Sequence, residues 1–318
     1  MLPQYPRSKS YPGVYLRDTD KTLPSHVANH NNLRYTHFKT IARGGKCLIQ
    51  SCRDSHLSRT VCYKSLHPEF RDDPIEQTRF LREARVTAML QHPNTVPVYE
   101  LSRDNKQHYY FMMKLVEGRT LREILNEQQQ DLTKASTTWP LERLVDVVVQ
   151  VGYALDYAHN HGVVHRDIKP SNILVGPFGE VLLLDWGLAK VWEMPDDDLK
   201  RKPEMEPTLS LTQQGGFEAT PLYMSPEQVS ESIDIDHRTD IYSLGAVLYE
   251  VLTLESMAWG NTMDELLQHT QFDDPSPPLE KSPSRKITQD LSDTCMACVA
   301  KSPDDRIGSI AELLSRLK

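Results

Sequence analysis

Two short runs, Val164-His165-Arg166-Asp167-Ile168-Lys169-Pro170-Ser171-Asn172 and Asp185-Trp186-Gly187, hold the residues best equipped for chemistry. Asp167 can accept a proton from a hydroxyl group. Asn172 and Asp185 offer oxygen, the donor that a hard cation such as Mg²⁺ prefers. A proton acceptor beside oxygen ligands is what phosphoryl transfer from ATP requires, because that reaction depends on positioning and on neutralising phosphate charge. The bland alternative is a polar loop between a helix and two short strands. An isolated His-Arg-Asp would favour that alternative; the complete spacing argues against it.

Such residues need strands and helices to hold them. His-Arg-Asp-x-x-x-x-Asn followed by Asp-x-Gly resembles the catalytic signature of protein kinases, and further segments fall where that family places its other parts. Phe38-Lys39-Thr40-Ile41-Ala42-Arg43-Gly44-Gly45-Lys46-Cys47-Leu48-Ile49 reads as strand, glycine turn, strand, and aligns with the glycine-rich loop. Ala42 and Cys47 stand at its first and third glycine positions, which puts ATP affinity in question, and Lys46 at the tip could supply charge instead. The resemblance implies ATP binding at Ala42, Gly44, Gly45 and Ile49. Thr60-Val61-Cys62-Tyr63-Lys64 alternates like a strand and supplies the lysine for the α and β phosphates. After Asp72-Asp73-Pro74 a helix is expected, with Phe80, Ala84, Thr87 and Ala88 inward and Glu83 placed to pair with Lys64. Tyr109 to Met113 reads as a strand entering a hinge. Met113 would lie behind the adenine, and the backbone of Lys114, Leu115 and Val116 would bond to the base.

Residues 127–139 read as a polar connection. Leu141, Leu144, Val145, Val148, Gly152, Leu155 and Ala158 then recur at helical spacing, after a Trp139-Pro140 opening. Between Asp185 and Ser225-Pro226-Glu227 lies a long, charged activation segment. There autophosphorylation is expected at Thr212, with Ser210 and Thr208 as alternatives and Arg166 as the cation that receives the phosphate. Lys169 and Thr220 are features of serine/threonine rather than tyrosine kinases. Asp240-Ile241-Tyr242-Ser243-Leu244-Gly245 resembles the family's helix that braces the catalytic loop, and Arg306 matches the arginine that pairs with Glu227.

The likeness runs from about residue 35 to residue 318 and is nearest to bacterial eukaryotic-like (Hanks-type) serine/threonine kinases. It implies an α+β, bilobal fold: a small antiparallel β-sheet lobe with one helix (35–117), then a mainly helical lobe (118–318) with its activation segment at 185–227. Residues 1–34, without periodicity, read as a flexible extension. By the resemblance, Asp167, Lys169 and Asn172 are catalytic, Lys64 and Glu83 position ATP, and Asn172 and Asp185 hold Mg²⁺. Protein serines and threonines are the expected substrates, with self-association for autophosphorylation in trans. The eroded glycine loop keeps a second reading open, a pseudokinase that binds or scaffolds without chemistry. A small-molecule kinase is a third, opposed by the segment ending at Glu227, by Asp240 and by Arg306.

Composition agrees with an ordinary globular protein: 39% hydrophobic and 25% charged residues. The net charge of −8 argues against a general nucleic-acid binder, which carries a basic surface. No apolar run reaches the roughly 20 residues that span a bilayer, and the first residues lack a signal-peptide core. A cytoplasmic protein is expected. Cys295-x-x-Cys298 lacks a second pair at zinc-site spacing and falls on one helical face with Leu291 and Val299, so it reads as buried packing. The histidines at 26 and 30, and at 159, 161 and 165, lack partners at metal-site spacing.

Overall fold

Strands β1 (Tyr35–Arg43), β2 (Cys47–Asp54) and β3 (Arg59–Leu66) open the fold as an antiparallel meander. Strands β4 (Val98–Arg103) and β5 (Tyr109–Met113) complete a sheet of order β1-β2-β3-β5-β4. The computed structural model describes residues 34–130, 138–191, 221–230, 232, 235–260 and 262–318. Register is what matters for function. Ile49 pairs with Lys64, and Lys64 with Phe111, so the lysine stands in the middle of the sheet.

Helix α1 (Pro74–Met89) starts as its sequence dictates. Asp73 is its N-cap, accepting from the N–H groups of Ile75 (2.8 Å) and Glu76 (3.2 Å), and Pro74 fills the first turn, where no N–H is needed. Phe80, Leu81 and Ala84 pack with Leu66, Tyr109 and Phe111 into the small core between helix and sheet. Ala88 does not face inward as expected. Thr87 is buried as expected, and Val86 rather than Ala88 completes the buried stripe beside it.

The second lobe is built on two long helices, α3 (Leu141–Asn160) and α5 (Arg238–Thr253). Every residue of α5 from Thr239 to Thr253 is buried, the condition of a helix at the centre of a domain. After α6 (Met263–Phe272) and α7 (Pro278–Lys281), helix α8 (Gln289–Cys298) crosses α5 at Gly245, where a Cβ would sit 2.5 Å from Cys298 Cβ; only glycine permits that approach. Both Cys295 and Cys298 are fully buried free thiols, as the helical-face reading expects. Helix α9 (Ile310–Arg316) closes the lobe against α3. Pro140 is the N-cap of α3 rather than a first-turn residue.

Residues 127–130 are not part of a loose connection. Helix α2 (Leu121–Gln130), which follows the two-residue strand β6 (Arg119–Thr120), carries them. Gln128 is buried and donates from Nε2 to the Trp139 carbonyl (3.0 Å), a long-range contact that composition hides. The short strands β7 (Val163–Val164), β8 (Ile173–Val175), β9 (Val181–Leu183) and β10 (Lys190–Val191) flank the catalytic-loop region. Among the described residues no helix is long and apolar enough to cross a membrane.

Candidate active site

The loop after β7 is held by one carboxylate. Asp240, fully buried at the start of α5, accepts from the backbone N–H groups of His165 and Arg166, both at 2.8 Å, and from His159 Nε2, also at 2.8 Å. Arg166 has φ of 69°, a left-handed conformation that costs a side-chain-bearing residue on the order of 1 kcal/mol or more. Asp240 grips that residue from one side. From the other, Gln228 donates through Nε2 to the Arg166 carbonyl at 2.8 Å. Gln228 belongs to the capping box that Ser225 opens for the short helix α4 (Pro226–Val229).

This clamp fixes Asp167. One carboxylate oxygen, Oδ2, receives Lys169 Nζ at 2.8 Å and Asn172 Nδ2 at 3.1 Å. The other, Oδ1, is buried and has no hydrogen-bond partner among the described residues. Burial pushes the Asp167 carboxyl above the usual carboxylate range, with the Lys169 charge opposing. Asn172 also donates Nδ2 to the Asp167 carbonyl (2.9 Å), which turns its Oδ1 away and leaves that oxygen available. The Leu184 N–H bonds to the Asn172 carbonyl at 2.8 Å, tying Asp185 to the same loop.

Asp185 has φ of 63° and accepts the Gly187 N–H at Oδ1, 3.3 Å. Burial would raise its pKa; Lys64, His165, the Gly187 N–H and Lys169 outweigh burial and hold it below the usual range. A Cβ at Gly187 would lie 3.1 Å from Asp185 Oδ1, so a glycine is the residue that fits there without pressing on the carboxylate. Trp186 is fully buried, edge-on to His165 with ring centroids 4.5 Å apart. Lys64 Nζ meets Glu83 Oε1 at 2.5 Å, with both side chains buried. Burial alone would lower the pKa of Lys64, but Glu83 and Asp185 raise it, so the ammonium is retained. Glu83 thus engages Lys64 through one carboxylate oxygen.

An oxygen-ligated cation fits these residues. Asn172 Oδ1 and an ionised Asp185 are hard donors, and Mg²⁺ usually takes only one or two protein ligands beside phosphate and water. No cluster of three or more His, Cys, Asp or Glu suited to a metal occurs among the described residues, and His26 and His30 lie outside them.

The glycine-rich hairpin places Ala42, Gly44 and Gly45 on the exposed side, with Ile49 half-buried opposite Lys64. None of Ala42, Gly44 or Cys47 has a positive φ. Lys46 contacts helix α1, its Nζ 2.6 Å from Glu76 Oε1. In the hinge, Met113 ends β5 half-buried beside Cys62 and Val98. The Lys114 N–H is taken by the Pro97 carbonyl (2.9 Å) and is unavailable to a base; the Lys114 carbonyl and the backbone of Leu115 and Val116 remain. On the far side of the catalytic loop, Tyr223 OH donates to Glu250 Oε2 (2.5 Å), and Arg306 grips Glu227 with two bonds of 2.7 Å. Thr208, Ser210, Thr212 and Thr220 lie outside the described residues.

Sequence reasoning missed Gln228, His159 and the Lys46–Glu76 pair. The Ser-x-x-Gln capping pattern at 225–228 was a visible cue to a helix start, but nothing local in it points to Arg166, 62 residues away.

The family model described as protein kinase domain matches residues 35–316. Among curated relatives, serine/threonine-protein kinase PknD of Protochlamydia amoebophila is 33% identical over 288 residues, 88% of this chain and 29% of that protein. The PknD of Chlamydia trachomatis serovar D is 34% identical over 296 residues, 90% of this chain and 31% of that protein. The PknD of Chlamydia pneumoniae is 34% identical over 285 residues, 88% of this chain and 30% of that protein. The chain thus spans less than a third of the length of these relatives. Because the family match takes in every element from β1 to α9, the chain belongs to the protein kinase domain family and has its two-lobed fold.

Proposed function

We propose that this chain transfers the γ-phosphate of ATP, with Mg²⁺, to serine or threonine hydroxyls of proteins. The observation that carries this reading is Asp167. Its carboxylate is oriented by Lys169 and Asn172 through one oxygen, while the other is buried and unengaged among the described residues. That oxygen is suited to accept the hydroxyl proton of a substrate side chain. Lys64, kept cationic and aimed by Glu83, binds the α and β phosphates. Lys169 lies close enough to Asp167 to share its charge with the transferred group. Asn172 and Asp185 would hold the cation, whose contribution is to neutralise phosphate charge. Ile49, Met113 and Leu115 would enclose the adenine, below Ala42, Gly44 and Gly45. The serine/threonine preference is drawn from Lys169, from Thr220 and from the names of the relatives.

Regulation by autophosphorylation at Thr212, Ser210 or Thr208, in trans between two copies, is part of the proposal. Its support is Arg166, whose guanidinium is pushed down to about 10 by burial and by the like charge of Arg82. The opposite charge of a phosphate there would offset both penalties. We place the protein in the cytoplasm, where its five free cysteines would stay reduced.

Ala42 and Cys47 favour the second reading, a binding module without transfer. Incubation with labelled ATP and a basic protein, with Mg²⁺ or with chelator, separates the two. Mg²⁺-dependent label on serine and threonine is expected. Saturable nucleotide binding without label would establish the binding module.

A further inference from the structure

Helix α1 carries two buried glutamates seven residues apart, two turns along one face. Glu83 meets the sheet at Lys64, and Glu76 meets it at Lys46, on the tip of the glycine-rich hairpin. Arg79 Nη1 bonds to the same Glu76 oxygen from one turn along, at 3.0 Å, and so orients the carboxylate. The hairpin tip is gripped a second time from the turn before α1. The His67 N–H bonds to the Lys46 carbonyl, and His67 Nε2–H to the Gly44 carbonyl, each at 2.8 Å. Gly44 N–H to the Cys47 carbonyl, 2.9 Å, closes the turn.

We propose that Lys46 and Glu76 are positioning residues for ATP: an ion pair that latches the phosphate-covering hairpin to helix α1, so that hairpin and Lys64 are set by one element. This rests on the reading that the cleft binds ATP. In this chain the latch stands where the family uses flexible glycines at positions 42 and 47. Those glycines let the backbone settle onto phosphate. Here the hairpin is instead held in place beforehand, and less ordering is left to binding. A direct role for Lys46 on phosphate predicts the opposite behaviour of Glu76. Removing the Glu76 charge would then free the lysine and tighten ATP binding. The latch predicts weaker binding.

The test uses the full chain with Lys46→Met, Glu76→Gln and the reversed pair Lys46→Glu/Glu76→Lys, read by steady-state kinetics and by hydrogen exchange without nucleotide. Since the lysine is partly exposed, each single change should raise KM for ATP about two- to five-fold, with kcat changing less. Exchange at residues 43–48 should speed up while β5 stays protected, and the reversed pair should restore only part of both, since Glu76→Lys sets a cation beside Arg79. Glu76→Gln with an unchanged or lowered KM, or unchanged exchange in both single variants, would overturn the latch. Wild type without saturable ATP dependence would overturn the ATP reading, and the exchange arm would still decide whether the ion pair holds the hairpin.

Discussion

The loop that carries Asp167 and the glycine-rich hairpin are held in opposite ways. Around Asp167 most props are buried, with Lys169 and Gln228 half-buried. Asp240 is fully enclosed, His165 likewise, and each backbone donor has a named acceptor. In such a place the residue type is dictated, because a substitution leaves a buried polar group without its partner. The hairpin has exposed residues from Lys39 to Lys46 and is held by one partly exposed ion pair and by histidine contacts. Water can replace any of those, so several residue sets can do the same job.

Breaking the buried side should have the larger effect. Asp240→Asn removes an acceptor from three donors, His165 N–H, Arg166 N–H and His159, and turns an amide N–H₂ toward them. A loss of about 3 kcal/mol in stability is expected, with phosphoryl transfer falling at least about 100-fold as Asp167 loses its placement. Thermal melting and labelled transfer report the two effects separately. Unchanged transfer in a destabilised protein would show that Asp240 serves folding alone.

Acid should act on the same side. Asp240 and Asp185 are both held below the usual carboxylate range in the fold: burial opposes this, but His159 and the loop N–H groups for one, and Lys64 for the other, prevail. Their contribution to stability is therefore complete above the unfolded value of about 4, and is lost as pH falls through the lower folded values. Melting temperature should drop below about pH 4, with a shallower slope in Asp240→Asn.

The smallest effect is expected from restoring glycine to the hairpin. Ala42 and Cys47 have ordinary backbone conformations, so Ala42→Gly and Cys47→Gly relieve no strain. KM for ATP should change less than about threefold. A tenfold fall in KM would mean that the missing glycines, and not the latch, limit nucleotide binding.

What was legible in the sequence follows the same division. Asp167, Lys169 and Asn172 lie within six residues of each other and Asp185 soon after, so short-range spacing contained the site. The Lys64–Glu83 pair was legible through the resemblance, which sets a helix glutamate against the strand lysine; spacing alone did not require it. Gln228 on Arg166 and Lys46 on Glu76 were not, since each depends on how separate elements pack. Ala88 failed because a periodic stripe says which residues share a face but not where the facing sheet ends. In the hinge, the bond from the Lys114 N–H to the Pro97 carbonyl was not legible, a backbone bond that side chains do not announce.

The central claim, that Asp167 serves phosphoryl transfer rather than folding, is tested most directly by comparing wild type with Asp167→Asn. Labelled γ-phosphate transfer from ATP with Mg²⁺, to the chain itself and to a basic protein, is measured beside each protein's melting temperature. Label on serine and threonine in wild type, reduced about 100-fold or more in a variant that melts normally, is the predicted result. Equal label in both proteins would contradict the account.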